Sequence, residues 1–315
     1  MKLIIQIPCL NEEKTLPLVI KDIPKRIEGI SVIETLVIDD GSTDKTAQLA
    51  KELGVNHVVQ LYSNYGLAHA FMVGLNSALE FGADIIVNTD GDNQYNGHDI
   101  PRLIKPILDK RADIVIGDRE VETIKHFSST KIFLQKLGSW VVRQLSGTNI
   151  PDVTSGFRAY SKEAALQVNI VSKFSYTLET ILMAGKKNIP ITHVAIRTNQ
   201  KLRESRLFKS TWSYLKKSIV TIVRIYAMYE PLKVFSYIGG TSFFLGFLLG
   251  CRYLYFFFIE STAGHVQSLI LSAILIIVGF QIILIGLVAD LISVNRRYIE
   301  NCLYRVRKSE IGYKK

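Results

Sequence analysis

The stretch Asn88-Thr89-Asp90-Gly91-Asp92-Asn93-Gln94 sets two carboxylates in alternate positions just after the apolar run Ile85-Ile86-Val87. Like charges gathered this closely repel, and they are costly to desolvate unless a cation or hydrogen-bond donors compensate them. A divalent ion does this well: Mg2+ is commonly held by one or two carboxylates and completed by substrate phosphates. Asp, Gly and Asn are also turn formers, so a solvated turn competes as a reading of the same residues.

A β-branched run that ends in acids is a buried strand reaching a sheet edge, where open α/β sheets hold their ligands. Three more strand ends carry polar groups, namely Asn11-Glu12, Asp39-Asp40 and Asp118-Arg119. Acids collected along one edge suit a nucleotide, with one group taking base or ribose donors and another holding a metal on the diphosphate. Neither a Walker pattern nor G-x-G-x-x-G occurs, which sets aside P-loop and simple dinucleotide readings. Without a glycine cradle, phosphates need a metal and arginines, and Arg158, Arg203 and Arg206 are available.

The positioning elements follow from the pattern. Leu3 to Ile7 is a strand that stops at Pro8, and a helix opens at Asn11-Glu12-Glu13 and runs through about Ile27. Strands over Glu34 to Ile38, Val55 to Leu61, Ile85 to Asn88, Asp113 to Ile116 and Thr192 to Ile196 alternate with helices over Asp44 to Gly54, Gly66 to Phe81, His98 to Lys110, Lys131 to Leu145, Lys162 to Gln167 and Tyr176 to Lys186. Such alternation builds right-handed βαβ units on a mostly parallel sheet.

Composition divides the chain. Of 315 residues 48% are hydrophobic, and the apolar excess lies almost wholly after residue 230. Phe235 to Ile259 and Gln267 to Leu291 are each long enough to cross a bilayer, for which about 20 apolar residues suffice. The Glu260 to Val266 connection has no Lys or Arg, whereas Lys233 precedes the pair and Arg296-Arg297 follows it, so both ends are expected in the cytoplasm. Arg252 lies near the outer end of its span, where snorkelling accounts for it. Lys209 to Met228 is amphipathic, with Trp212, Leu215, Ile219, Ile222 and Tyr226 along one side, and reads as an interfacial helix. The helix from Lys131 to Leu145 carries Phe133, Leu137, Trp140, Val141 and Leu145 on one face and is either core-facing or interfacial. The expected partition is a catalytic domain over 1–206, an interfacial helix over 207–232, two spans over 233–292 and a basic tail over 293–315.

The net charge of +10 crowds beside the spans rather than over the first two thirds, which favours an anionic membrane surface over nucleic acid. Cys9, Cys251 and Cys302 are scattered without metal-ligand spacing and read as reduced thiols. No signal peptide is expected, because Met1-Lys2 leads straight into the first strand.

Taken in order, these residues resemble a family-two glycosyltransferase of the GT-A fold, in the branch of dolichol-phosphate mannose synthase and bacterial polyprenyl-phosphate glycosyltransferases. The resemblance rests on Pro8 with Asn11-Glu12-Glu13, Asp39-Asp40-Gly41-Ser42-Thr43-Asp44, Asp90-Gly91-Asp92-Asn93-Gln94 as a DXD motif, Gly117-Asp118-Arg119, Ser155-Gly156-Phe157-Arg158, Arg203-Glu204-Ser205-Arg206 and the paired spans. It implies a nucleotide pocket lined by Pro8, Asn11, Glu12 and Asp40, Mg2+ or Mn2+ on Asp90 and Asp92, and Gln94 orienting metal or sugar. It places Arg119, Arg158, Arg203 and Arg206 on the donor diphosphate or the acceptor phosphate, with Ser205 in the same acceptor segment. Family members often show Asp-Ala-Asp-Leu-Gln where this chain has Asp-Gly-Asp-Asn-Gln. Many carry Gly-Lys-Gly where it has Gly66-Leu67-Ala68, and Gly-Glu-Ser-Lys where it has Arg203 to Arg206. These departures lie near the phosphates and leave the donor open.

The implied reaction is an inverting transfer from a nucleotide sugar, GDP-mannose or a UDP-hexose, to dolichyl or undecaprenyl phosphate. A lipid phosphate is ionised at neutral pH, so no general base is required; Asp92 as base is the rival assignment. His69, His98 and His126 are lone histidines, more often structural than catalytic. A membrane glycosyltransferase acting on another lipid or glycan acceptor in cell-envelope polysaccharide synthesis is the alternative. A processive synthase is disfavoured by the missing Gln-x-x-Arg-Trp motif, and an inactive scaffold by the intact acidic pair. Homo-oligomer formation is left open.

Overall fold

The computed structural model describes residues 1–120, 129–171, 176–199, 211–259 and 266–313. They form two compact units, Met1–Ile222 together with Leu303–Lys315, and Val223–Cys302. The second boundary cuts inside the stretch expected as a basic tail, because its last residues belong to the first unit.

The first unit is built on a sheet whose strands are β1 (Lys2–Cys9), β2 (Val32–Asp39), β3 (His57–Gln60), β4 (Ile85–Asn88), β5 (Ile114–Asp118), β6 (Arg158–Ser161) and β7 (Ile191–Ala195). Its order is β3-β2-β1-β4-β6-β5-β7. Every pairing is parallel except those of β6, which runs antiparallel between β4 and β5. The register Cys9 to Asp39 and Gln6 to Asn88 brings the ends of β1, β2 and β4 to one edge. Because β6 is reversed, its first residue, Arg158, pairs with Asn88 at that same edge.

Helices α1 (Leu16–Asp22), α2 (Thr46–Glu52), α3 (Leu67–Glu80), α4 (Ile100–Leu108), α5 (Ser129–Ser146), α6 (Lys162–Gln167) and α7 (Tyr176–Lys186) connect the strands. The helix expected from Asn11 to about Ile27 is shorter than its pattern. Asn11 takes a left-handed φ of 56°, which Asn tolerates better than most residues, and Ile23 leaves in an extended conformation. The core joins Leu3, Ile5 and Ile7 of β1 with Val37, Val87, Val115 and Ala159, and with Leu103, Ile104 and Ile107 of α4. Burying such side chains contributes about 1.5–3 kcal/mol each, enough to hold a polar edge that packs less well. On α5, Ser139, Val142 and Ser146 are buried while Trp140 is exposed, so its tryptophan points away from the core.

Helices α8 (Thr211–Tyr229), α9 (Pro231–Ile259) and α10 (Val266–Tyr313) follow. Both α9 and α10 are long and apolar enough to cross a membrane. They pair through small residues: a Cβ on Gly239 would lie 2.6 Å from the Gly279 carbonyl, and Ser272 Oγ donates to the Gly246 carbonyl at 2.7 Å. Small-residue contact of this kind is how helices associate where lipid removes the hydrophobic drive, while Phe244, Phe257, Ile270 and Phe280 face outward. The 48 residues of α10 extend about 70 Å at 1.5 Å each, beyond a hydrocarbon core of about 30 Å. Within the first unit, Arg307 from its last turns donates to the Val168 carbonyl at 2.9 Å, and Tyr304 and Lys308 meet Glu163 on α6.

Candidate active site

Two loops at the sheet edge carry the acids. After β2, Asp40 is buried and accepts the Tyr65 and Gly66 amides at 2.9 Å each, one on each oxygen. Asp39 Oδ1 accepts the Ser42 amide at 3.0 Å. Asn11 joins this loop from β1: its amide donates to Ser42 Oγ at 2.9 Å, and its Oδ1 takes the Thr43 amide at 2.8 Å. Glu12, also buried, donates its amide to Thr46 Oγ1 and accepts Thr15 Oγ1 at 2.7 Å. Pro8 pairs with Ile38 in the buried part of β1. These groups are neighbours, as expected, and they knit β1 to the loop after β2.

After β4 the arrangement differs. Gln94 holds Asp92 twice, through its amide to Oδ1 at 3.1 Å and through Nε2 to Oδ2 at 2.7 Å. Asp90 Oδ1, shielded from solvent, has no hydrogen-bond partner. Burial, then the Asp92 carboxylate, raises the Asp90 pKa to about 7, against the pull of Arg119 and Arg158. A Cβ on Gly156 would stand 2.9 Å from both Asp90 oxygens, and one on Gly91 would stand 2.9 Å from Cys9 Sγ. Glycine is therefore required at both places to let the acid sit against β1 and β6. Convergence is also visible at Cys9, whose thiol is pushed up by burial and then by Glu12, Asp39 and Asp90.

The arginines are committed elsewhere. Arg119 forms a bidentate pair with buried Asp152, at 2.6 and 2.9 Å, and donates to Thr154 Oγ1 at 2.7 Å. Burial works to raise the Asp152 pKa, but the Arg119 charge and the hydrogen bonds to it outweigh that and lower it below the usual carboxylate value. Arg158, expected on a phosphate, is fully buried and donates to the carbonyls of Ser155, Thr177 and Val153 at 2.7 to 3.0 Å. It shapes the 153–157 loop instead of offering an open cation. Arg203, Ser205 and Arg206 lie outside the described residues.

Sequence reasoning missed the groups behind the edge. Gln6 donates to Asn88, whose amide reaches the Gly156 carbonyl at 2.8 Å and the Tyr176 hydroxyl at 3.0 Å. Gly156 in turn donates to the Tyr95 hydroxyl at 2.8 Å, and burial raises the Tyr95 pKa to about 12. A buried polar chain of this kind is rigid once satisfied. Gln6 and Asn88, polar residues inside apolar strands, were its legible signal; Asp152 gave none beyond a turn.

Among the described residues, no three His, Cys, Asp or Glu side chains form a ready cage for a metal. The donor set fits a different design. One orphaned, proton-retaining carboxylate beside a second, pinned one suits a hard divalent cation whose other ligands come from a diphosphate.

Comparison with known proteins gives the family and the fold. The model of glycosyl transferase family 2 matches residues 4–168, and that of the GtrB C-terminal hairpin matches residues 230–294. The UDP-N-acetylglucosamine–dolichyl-phosphate N-acetylglucosaminyltransferase of Methanococcus voltae is 32% identical over 215 residues, covering 61% of this chain and 83% of the relative. An undecaprenyl-phosphate mannosyltransferase of Micrococcus luteus is 27% identical, covering 74% of this chain and 98% of the relative. In fold, the chain is similar to glucosyl-3-phosphoglycerate synthase from Mycobacterium tuberculosis, solved with Mn2+, uridine diphosphate and phosphoglyceric acid. The TM-score is 0.57 at 19% identity, over 71% of this chain and 78% of that one.

Proposed function

The chain belongs to glycosyl transferase family 2, and from that premise we propose that it moves a sugar from a nucleotide sugar to polyprenyl phosphate at a membrane surface. The observation that carries the reading is the open acid pair, Asp90 with its orphaned oxygen beside Asp92 held by Gln94. Relatives named for dolichyl and undecaprenyl phosphate transfer support the acceptor class. The α9–α10 hairpin, made of two helices fit to cross a membrane, supports a site kept at the bilayer where such an acceptor keeps its tail.

In this reading Asp90 and Asp92 would hold Mg2+ or Mn2+, which would supply charge neutralisation on the departing nucleoside diphosphate. The loops of Asn11, Glu12 and Asp40 take the nucleoside, closed by the backbone that Asp40 fixes. A phosphate oxygen of the lipid attacks the anomeric carbon as the bond to the diphosphate breaks, and the electron pair leaves with the diphosphate. The configuration inverts, and no side chain needs to remove a proton. Arg203, Ser205 and Arg206 receive the acceptor phosphate. Arg119, tied to Asp152, and Arg158 act through the loop they shape and through their field on Asp90. The basic residues flanking the spans and Trp140, exposed on α5, support a catalytic unit held against the membrane from its cytoplasmic side.

The test uses full-length protein in nanodiscs with undecaprenyl or dolichyl phosphate, labelled UDP- and GDP-sugars, and Mg2+ or Mn2+. A labelled lipid-phosphate sugar should form with one donor class, vanish with EDTA, and vanish in Asp92→Ala while the melting profile is kept. Transfer that survives both EDTA and Asp92→Ala sinks the metal assignment.

A further inference from the structure

The loop that follows Asp92 is closed by a strand from far along the chain. Asn93 sits at a left-handed φ of 59°, and the residues after it lack regular structure until a short 3-10 turn at Gly97–Asp99. Residues 197–199 run alongside. Tyr95 and Thr198 form an antiparallel bridge, and the Asn96 amide donates to the Arg197 carbonyl at 3.4 Å. Asn199 makes the densest contact: its amide donates to the Gln94 carbonyl at 2.9 Å, and its Nδ2 donates to Asn93 Oδ1 at 3.4 Å and to the Tyr95 carbonyl at 3.3 Å. Buried Asp99 anchors the strand below by taking the Arg197 amide and Nη2, each at 2.7 Å.

We infer that Asn199 is a positioning residue for Asp92, acting through Gln94, and so sets the affinity of this site for a divalent cation. Gln94 fixes both Asp92 oxygens; the main-chain amide of residue 199 holds the Gln94 carbonyl, and the Asn199 side chain holds the Asn93 side chain and the Tyr95 carbonyl on either side of it. Asn adopts a left-handed φ more readily than most residues, and the contacts from residues 197–199 hold the loop in this shape. The stitch also reaches deeper, because the Tyr95 hydroxyl takes the Gly156 amide, and Gly156 is the residue packed against Asp90. One asparagine thereby bears on both acids. The inference rests on the proposed metal role of Asp90 and Asp92.

Full-length wild type, Asn199→Ala and the isosteric Asn199→Asp, which loses the side-chain donor, separate the alternatives. Mn2+ binding in the presence of UDP or GDP is read by electron paramagnetic resonance, and amide exchange is read over residues 92–96 and, as a control, over β1. Both variants should exchange faster over 92–96 only and should bind Mn2+ about tenfold more weakly, as removal of groups that orient metal ligands commonly does. In turnover, the half-saturating Mn2+ should rise more than kcat falls. Asn93→Gly removes the acceptor while glycine accepts the positive φ, and it should shift Mn2+ binding the same way even if the Asn199 variants fold poorly. Loosened exchange with unchanged Mn2+ binding overturns the inference and leaves Asn199 a purely structural tie. Absence of Mn2+ binding in wild type is a different result: it overturns the metal reading itself, and the inference with it.

Discussion

The loops after β2 and after β4 begin alike in sequence, each a buried strand ending in aspartates, yet the structure uses them in opposite ways. Asp40 is closed: both oxygens take backbone amides, so the charge is compensated by the chain itself. Asp90 is open: one shielded oxygen has no partner and the pKa stands near 7. A carboxylate that the fold satisfies builds a cradle. One that the fold leaves short is a place where a ligand must supply the compensation, at a cost to the empty protein. The difference can be broken or sharpened by removing charge from each loop in turn.

The largest effect should come from Asp92→Ala. Losing a carboxylate from a metal clamp removes several kcal/mol of charge stabilisation on the leaving group, about 10²–10⁴ in rate, with little change in melting temperature. Asp90→Asn should cost comparable activity but raise the stability of the metal-free protein. The sign follows from linkage. The folded chain holds the Asp90 proton up to about pH 7, whereas an unfolded aspartate releases it near pH 4, about 3.9. Between those values the folded state binds more protons, so wild-type stability falls as pH rises and the full penalty is present above pH 7. Melting curves without metal should show Asp90→Asn more stable than wild type at pH 8, by on the order of 2 kcal/mol, and equal to it at pH 4. A variant less stable than wild type at pH 8 breaks the contrast between the loops.

Asp40→Asn should do the reverse. An amide nitrogen would face one of the two backbone donors, leaving a buried amide unpaired, which costs about 1–3 kcal/mol. Thermal melts should report that loss, and the donor KM should rise while the half-saturating Mn2+ stays the same.

How much of this was readable beforehand divides along the same lines. The strands carrying the acids were legible because short apolar, β-branched runs that end in acids leave few alternatives, as Leu36 to Asp39 and Ile85 to Val87 show. Strand β6 was not, since Arg158-Ala159-Tyr160-Ser161 is short and pairs with partners 70 residues away in sequence. The surroundings of the arginines were not legible for a physical reason. A sequence shows that Arg119 and Arg158 are present near a phosphate motif but not which acceptors reach them first, and here Asp152 and three carbonyls do. Asn199 was invisible because its partners lie 104 and 106 residues earlier. The polar edge was legible as a set of acids, while the distinction between closed and open acids needed the fold.

The smallest predicted change tests whether the loops are energetically separate. Ser42→Ala removes the hydroxyl that accepts the Asn11 amide but leaves Asp39 its bond to the Ser42 amide. The site is part-buried, so water can replace the lost acceptor, and the cost should be about 0.5–1.5 kcal/mol. Asn11 would then keep its Oδ1 contacts with the Thr43 amide and hydroxyl but lose the tie on its own amide, loosening the nucleoside side of the edge. Chemical denaturation should show the loss, and the Mn2+ titration should not move. A shift in Mn2+ affinity from so small a change would mean that the closed loop positions the open one, most directly through Glu12, whose Cγ lies 3.2 Å from the Cβ position at Gly91.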